Sequence, residues 1–397
     1  LRHHRGLMID NTPFAESDRD FSDADHARMR SALALAQQAI GLSDPNPRVG
    51  CLLVGADGAV LGRGHTQEAG GPHAEVVALR AARQAGHDPR GATAYVTLEP
   101  CAHHGRTPPC CDALIEAGVG RVVVATQDPN PLVAGQGLAR IAAAGIDTAC
   151  GLLEAPAREL NIGFFSRMLR GRPWVRMKIA ASLDGRTALP DGRSQWITSV
   201  AARTDGHAWR KRAGAVLTGI GTVREDDPRL DVRLVHTAHQ PLRVVIDADL
   251  AMDASARILQ PPGAVLVYTA QATASSALQA SGCDVVTLPD AGDGKVDLAA
   301  MLADLGRRSI NELHVEAGAG LNGAFVRDGL VDELLLYFAP KLIGAGRELA
   351  RFGPLAQLRD AVALEWTAVQ QIGPDLRVLA RPTDRLARWW PPTIRGL

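Results

Sequence analysis

One histidine and two cysteines in this chain are spaced to do metal chemistry. His73 opens His73-Ala74-Glu75, Cys101 closes Thr97-Leu98-Glu99-Pro100-Cys101, and Cys110 follows after eight further residues. An imidazole and two thiolates fill three of zinc's four tetrahedral positions, whereas a structural zinc site closes all four with protein ligands. The open position admits water, which zinc makes a nucleophile near neutral pH. Glu75, two residues past the histidine, is placed to move the protons that such a reaction needs.

H-x-E followed by P-C is the pattern of the zinc deaminases, whose glutamate is an acid/base and not a ligand. The usual form separates its two cysteines by two residues, and here the separation is eight. Cys111, one position on, is an alternative last ligand. Cys110 is preferred because it directly follows Pro108-Pro109, where the chain is stiff before a helix begins. A closed structural clip using His103 or His104 is the other alternative, and it leaves Glu75 without a purpose.

The bulk composition narrows the classes. At 397 residues the chain exceeds one ordinary core, so two domains are expected. Lys+Arg and Asp+Glu both number 43, which leaves no electrostatic footprint for nucleic acid or a membrane surface. A nucleic-acid-editing deaminase with an accessory domain is the rival reading. Neutrality and an aromatic content of 4% argue against it, because such binders use basic grooves and stacking platforms. A non-catalytic zinc-binding scaffold is a second rival, and Glu75 beside a three-ligand site argues against that. Six scattered cysteines make no disulfide framework and fit a reducing compartment, so a cytoplasmic protein is expected. No apolar run approaches the roughly 20 residues of a membrane span. Residues 1–21 read as a disordered leader without the apolar stretch of a signal peptide.

The elements that must position these residues follow from local pattern. Ser22 and Asp25 resemble a helix N-cap and its third-position acid, ahead of Met29, Leu33, Ala36 and Ile40 at helical spacing. Val49–Val54 reads as a strand turning at Ala56-Asp57-Gly58 into a short second one, Ala59–Leu61. A helix over His73–Ala85, a strand over Ala92–Leu98, a helix over Cys111–Ala117 and a strand over Arg121–Thr126 come next. Gly137–Ala144 and Ile146–Ala149 add a helix–strand pair, and Glu154–Leu169 reads as one helical segment. Strands alternating with helices predict an α/β layer structure with a mixed or parallel sheet. Both metal-binding segments fall where a strand gives way to a helix, and helix N-termini favour thiolates.

Past a boundary at Arg170–Pro173 a second α/β pattern runs. Strands are expected near Val175–Ala180, Ala215–Thr218, Arg243–Ile246, Ala264–Tyr268, Asp284–Leu288, Glu312–Val315 and Glu333–Ala339, with helices at Ser199–Arg212 and Leu298–Leu305. No G-x-G-x-x-G follows its first strand, so the common dinucleotide fingerprint is absent. Glu316-Ala317-Gly318-Ala319-Gly320-Leu321-Asn322-Gly323 does follow an apolar strand and opens a helix, a place where backbone N–H groups can approach a phosphate. Arg210 and Arg233 are candidate phosphate forks, because guanidinium matches phosphate oxygens bidentately. Taken alone, each also reads as a solvated arginine.

Over residues 22 to 383 the chain resembles the bifunctional riboflavin-biosynthesis family in which a pyrimidine deaminase is fused to a 5-amino-6-(5-phosphoribosylamino)uracil reductase. In the first half the motifs are Asn46-Pro47-x-Val49-Gly50, the glycine-spaced run from Gly62 to Gly71-Pro72-His73-Ala74-Glu75, and Thr97 through Cys110. In the second half they are Ser182–Gly185, Ser194–Thr198, Asp226-Asp227-Pro228, Val315–Gly318 and Ala339–Gly344. The resemblance implies an N-terminal cytidine-deaminase-like α/β/α domain over 22–169, a dihydrofolate-reductase-like α/β domain over 173–383, and a peripheral tail over 384–397. It implies zinc on His73, Cys101 and Cys110, proton transfer by Glu75, and a deaminase pocket lined by Asn46 and His65. It further implies NADPH contacts at Ala181, Trp196, Thr222, Asp226 and the run Gly318, Ala319, Gly320, Leu321, Asn322, Gly323, Ala324. Contacts to the phosphoribosyl substrate fall on Ser194, Arg210, Leu230, Arg233 and Glu316. Ala248 stands where relatives often carry a serine. The implied partners are small phosphoribosylaminopyrimidine substrates, with no nucleic acid and no membrane, and a homo-oligomer is expected.

Overall fold

The computed structural model describes residues 21–103, 108–130, 133–271, 276–289 and 292–383. The expected leader, apart from Phe21, and the expected tail lie outside the described residues, as does His104. The chain divides into two compact units between Arg170 and Gly171.

In the first unit α1 (Asp23–Gln37) starts at a reciprocal cap. The Ser22 hydroxyl accepts from the Asp25 amide at 3.1 Å, and the Asp25 carboxylate accepts from the Ser22 amide at 3.0 Å. Then come β1 (Gly50–Val54), β2 (Val60–His65), α2 (Ala74–Gln84), β3 (Thr93–Val96), α3 (Cys110–Glu116), β4 (Arg121–Val124), α4 (Gln136–Ala143), β5 (Asp147–Cys150), α5 (Glu154–Leu160) and α6 (Ile162–Arg170). The sheet order is β2-β1-β3-β4-β5, antiparallel across β1 and parallel from β3 onward. The start of β1 and the ends of β2, β3 and β4 therefore share one edge. Helices lie close on the sheet because side chains are missing where they cross. A Cβ on Gly50 would sit 1.9 Å from Ala32 O, and one on Gly64 would sit 2.2 Å from Ala74 O.

Two expectations in this unit are corrected. The second strand runs on to His65, in register with β1 from Leu53↔Gly62 to Gly50↔His65, and its glycines had masked the alternation. The single helix expected over Glu154–Leu169 is two. Asn161 breaks it because its side-chain amide pairs with the backbone of Arg48, accepting from Arg48 N at 2.7 Å and donating to Arg48 O at 2.9 Å.

The second unit comprises β6 (Trp174–Ser182), α7 (Val200–Arg212), β7 (Ala215–Gly219), α8 (Ile220–Asp226), β8 (Leu242–Ile246), β9 (Val265–Thr269), α9 (Ser276–Ala280), β10 (Cys283–Thr287), α10 (Leu298–Arg307), β11 (Glu312–Val315), α11 (Ala319–Arg327), β12 (Glu333–Ala339), β13 (Leu364–Ile372) and β14 (Asp375–Pro382). Its sheet order is β10-β9-β8-β7-β11-β6-β12-β14-β13, parallel from β10 to β12 and closed by an antiparallel hairpin. Met177, Leu217, Val244, Leu266 and Val315 pack with Met301, Leu302 and Leu305 of α10 and Phe325 of α11. Val216, Val245 and Val267 form a further core with Val223 and Ile258. The β13–β14 hairpin was not anticipated. Nearly every residue of β13 is exposed, so no apolar alternation betrays it.

At the amino ends of β6, β11 and β12 a buried ionic cluster closes the sheet. Arg176 bonds Glu312 at 2.6 Å and Glu333 at 2.5 Å over the Trp209 ring, with Arg212 and Arg381 completing the carboxylates' partners. The opposite, carboxyl ends of these strands are left to the loops that carry the candidate site.

Candidate active sites

The first unit's topology brings the metal triad together. His73 is the N-cap of α2, Cys101 follows β3, and Cys110 is the first residue of α3. His73 Nδ1 lies 3.2 Å from Cys110 Sγ and 3.6 Å from Cys101 Sγ, and the three donor atoms all fall within 4.8 Å of one another. Zinc–nitrogen and zinc–sulfur bonds at tetrahedral angles put such donors roughly 3.5 Å apart, so the donor set fits zinc. This geometry selects Cys110 over Cys111, whose thiol turns to the Asp112 carboxylate at 3.7 Å. Cys110 N also donates to Cys101 Sγ at 3.4 Å. The Cys101 thiol is held down to about 4, chiefly by its hydrogen bond from Cys110 and then by His73. Hydrogen bonding to Cys101 and burial push the Cys110 thiol the other way.

Glu75 sits in the first turn of α2 and is 3% exposed. Burial, and after it the Cys101 charge, push its carboxyl up to about 7. A carboxyl at that level exists in both proton states near neutral pH, as an acid/base requires. The resemblance-implied pocket residues occupy the same edge of the sheet. His65 ends β2 opposite Gly50, with Gln67 Nε2 2.9 Å from its Nδ1, and burial depresses its pKa so that the ring stays neutral. Asn46 lies in the loop entering β1, which is anchored by the Ser43 hydroxyl on Asn46 O and by the Arg48–Asn161 pairing.

In the second unit, β11 is inserted between β7 and β6, so the strand order reverses there and the loops diverge at the carboxyl ends. That is where open α/β sheets bind ligands. Gly318 is the N-cap of α11, and a Cβ there would lie 3.8 Å from Thr222 Oγ1 on α8. A Cβ on Gly320 would meet nothing within 4 Å. The first turn of α11 thus keeps its backbone open, which fits an anionic cofactor group. The rest of the run packs inward. Leu321 lies against Gly219, Asn322 donates to Leu349 O at 2.9 Å, and a Cβ on Gly323 would fall 1.8 Å from Arg351 O. Ala181 is buried near the end of β6, and Ala324 packs against the main core. Trp196 is largely exposed, with the Arg203 guanidinium 4.3 Å from its ring, and Ser194 is half-buried two residues before it. Asp226 ends α8, and burial followed by the Glu225 charge raises its carboxyl.

Arg210 is not a loose arginine. Its Nε and Nη2 donate to the two oxygens of Glu316 at 2.5 and 3.0 Å, and Nη1 donates to Asp231 O at 2.9 Å. Two of its five N–H groups remain for another acceptor. Lys178 Nζ and His314 Nε2 also face Glu316, at 3.7 and 3.3 Å. Burial opposes the Glu316 charge, yet Arg210, Lys178 and His314 hold the carboxyl well below the usual range. Arg233, half exposed, donates to Asp231 Oδ1 at 2.7 Å, and its backbone N–H donates to His207 Nδ1 at 3.2 Å. Leu230 is buried with φ 50° at the turn between α8 and these side chains. Sequence reasoning missed Lys178, His314 and Asp231 as the groups facing this site. The signal available was Lys178 and His314 among apolar strand positions and Asp231 in a loop, and it could not reveal that they converge.

Two family models match the chain. The cytidine and deoxycytidylate deaminase zinc-binding region covers residues 22–126, and the RibD C-terminal domain covers 173–378. The riboflavin biosynthesis protein RibD of Escherichia coli K12 is 46% identical over 365 residues, covering 89% of this chain and 98% of that protein. The protein of the same name from Aquifex aeolicus is 39% identical over 89% of this chain and 97% of its own length. Among solved structures, Acinetobacter baumannii RibD superposes with a TM-score of 0.83 at 42% identity, covering 91% of this chain and 99% of that one. A Thermotoga maritima diaminohydroxyphosphoribosylaminopyrimidine deaminase/5-amino-6-(5-phosphoribosylamino)uracil reductase gives 0.82 at 34% identity, over 90% and 99%.

Proposed function

The chain belongs to the RibD family of bifunctional riboflavin-biosynthesis enzymes, and we propose from that premise how its residues divide the work. The family's two activities are deamination and then reduction of pyrimidine intermediates, with zinc serving the first and NADPH the second. The specific reading is that the first unit deaminates 2,5-diamino-6-(5-phosphoribosylamino)pyrimidin-4(3H)-one. The second unit then reduces the ribosyl group of 5-amino-6-(5-phosphoribosylamino)uracil to ribityl. The observation that carries it is the three-donor cluster with a buried Glu75 beside it, in a chain whose relatives match across both units.

Bound zinc supplies Lewis-acid activation of water at His73, Cys101 and Cys110. Glu75 would carry one proton of the attacking water to the ring nitrogen and the second to the departing amino group, which leaves as ammonia, and its raised pKa suits both transfers. Asn46 and neutral His65 orient the pyrimidine. In the second unit NADPH supplies hydride. Ala181, Trp196, Thr222, Asp226 and residues 318–324 hold the cofactor in this reading. Ser194, Arg210, Leu230, Arg233 and Glu316 hold the phosphoribosyl substrate. Arg210, tethered by Glu316, offers its two remaining N–H groups to the phosphate.

A homo-oligomer is part of the same reading. β13 is an edge strand with Trp366 and Val369 exposed beside Leu376, and apolar residues exposed together at an edge fit a contact with another chain. So is a cytoplasmic location, which six unpaired cysteines suit. No helix among the described residues is long and apolar enough to cross a membrane. The deciding assay gives the purified protein the phosphoribosylated diaminopyrimidine with and without NADPH. Ammonia release in both cases, and NADPH oxidation only after deamination, is expected. Absence of ammonia release from zinc-loaded protein would overturn the reading.

A further inference from the structure

Glu99 stands two residues before a metal ligand, is 4% exposed, and has no role in the chemistry above. Its carboxylate is nonetheless fully engaged. Oε2 accepts from the backbone N–H of Asp128 at 3.2 Å and of Gly135 at 2.9 Å, and Oε1 accepts from Gly137 at 2.9 Å and Leu138 at 3.2 Å. Three of those donors are the N-cap and first-turn amides of α4, where helix polarity favours a negative charge. The main chain is held as well: Glu99 N donates to Thr126 O at 3.0 Å, and Cys111 N donates to Cys101 O at 3.3 Å. Gly137 completes the contact, since a Cβ there would sit 1.9 Å from Pro100 O. The strip Glu99-Pro100-Cys101 is therefore pinned on one side by α4 and on the other by the start of α3.

We propose that Glu99 is a positioning residue for the metal centre: by clamping the start of α4 it fixes this strip so that Cys101 Sγ is preset beside His73 and Cys110. The inference rests on the zinc reading of the triad. Four N–H donors converging on one carboxylate leave no lone pair for a substrate, so the role is indirect. A neutral amide cannot replace the carboxylate, because whichever corner the NH2 takes then faces two N–H donors and is left without an acceptor.

The test is Glu99→Gln in the full chain. Metal affinity is measured by competition with a chromophoric chelator, and the cobalt-substituted protein gives the ligand-field and thiolate charge-transfer spectrum. Partners that orient metal ligands typically contribute about 10–100-fold in affinity, and a loss of that size with an altered cobalt spectrum is expected. NADPH oxidation on the deaminated substrate should stay at the wild-type level, which shows that the second unit is intact. A variant that binds zinc as tightly as wild type with an unchanged cobalt spectrum overturns the proposal. Wild-type protein that binds no zinc overturns the metal reading itself. A measurement on wild type alone guards against misfolding of the variant. Coupling is reciprocal, so stripping zinc should speed amide exchange at Gly137 and Leu138, and unchanged exchange there would equally overturn the proposal.

Discussion

Glu316→Gln should both loosen the second unit and weaken its grip on the substrate's phosphoribosyl group. The side chain keeps its shape and one acceptor, but it loses the charge that faces Arg210 at 2.5 and 3.0 Å and Lys178 at 3.7 Å. Removing one partner of a buried ion pair costs about 3–5 kcal/mol, and the retained amide puts the expectation near 3 kcal/mol. For a unit of this size each kcal/mol shifts Tm by about 2–4 °C, so the unfolding transition should fall by roughly 6–12 °C. Arg210, no longer held by two charged oxygens, should also lose a charge-assisted contact worth about 1.5–3 kcal/mol, raising the substrate KM for reduction by about 10–100-fold. Because Glu316 is held well below the usual carboxylate range, the pair is ionised at any working pH, and the effect should not vary between pH 6 and 8. Differential scanning calorimetry and initial rates of NADPH oxidation give the two readouts, with ammonia release unchanged as the control. A variant that keeps both the wild-type transition and the wild-type KM would show that Glu316 does not tether Arg210.

Glu75→Gln should lower ammonia release by about 10²–10⁴-fold with zinc content unchanged, measured by a coupled ammonia assay and metal analysis; loss of zinc would mean that Glu75 is not a bystander to ligation. Arg233→Ala should raise the substrate KM while NADPH affinity, followed by fluorescence, stays put. Gly320→Val should do the reverse, since a side chain there meets open space in the free protein and would collide only with a cofactor. Asp25→Asn should destabilise the first unit by about 1–2 kcal/mol at pH 7, after allowance for solvent screening. Burial opposes the Asp25 charge, but hydrogen bonds from Ser22 and Tyr95 and the Arg121 charge bring its pKa from 3.8 to about 2. A depressed pKa adds stability that is complete above 3.8 and lost as pH falls toward 2, so urea midpoints of variant and wild type should converge in that window. A fragment beginning at Gly171 should still oxidise NADPH on the deaminated substrate; a folded fragment that does not turn over would show that the first unit completes the site.

Much of the metal site was legible in the chain because it is written locally. His73 and Glu75 share one helix start, Cys101 and Cys110 bracket one short connection, and the Ser22–Asp25 cap spans four residues. Signals of that range survive without knowledge of what packs where, and so did most strand and helix positions, whose buried faces repeat at their own period. What depended on strand order and on partners far along the chain did not. Arg210 meets Glu316 across 106 residues only because β11 slots between β7 and β6, and this turns a candidate phosphate fork into a tethered one. Asn161 breaks a helix for the sake of Arg48, 113 residues away, and Glu99 finds its four donors in a later loop and helix. β13 presents its side chains to solvent and so offers no alternation to read. The local sequence determined which residues form the metal cluster and roughly which elements carry them. Only the tertiary structure decided which charges are paired and which backbone amides hold the ligands still, because those contacts exist only once distant strands have taken their register.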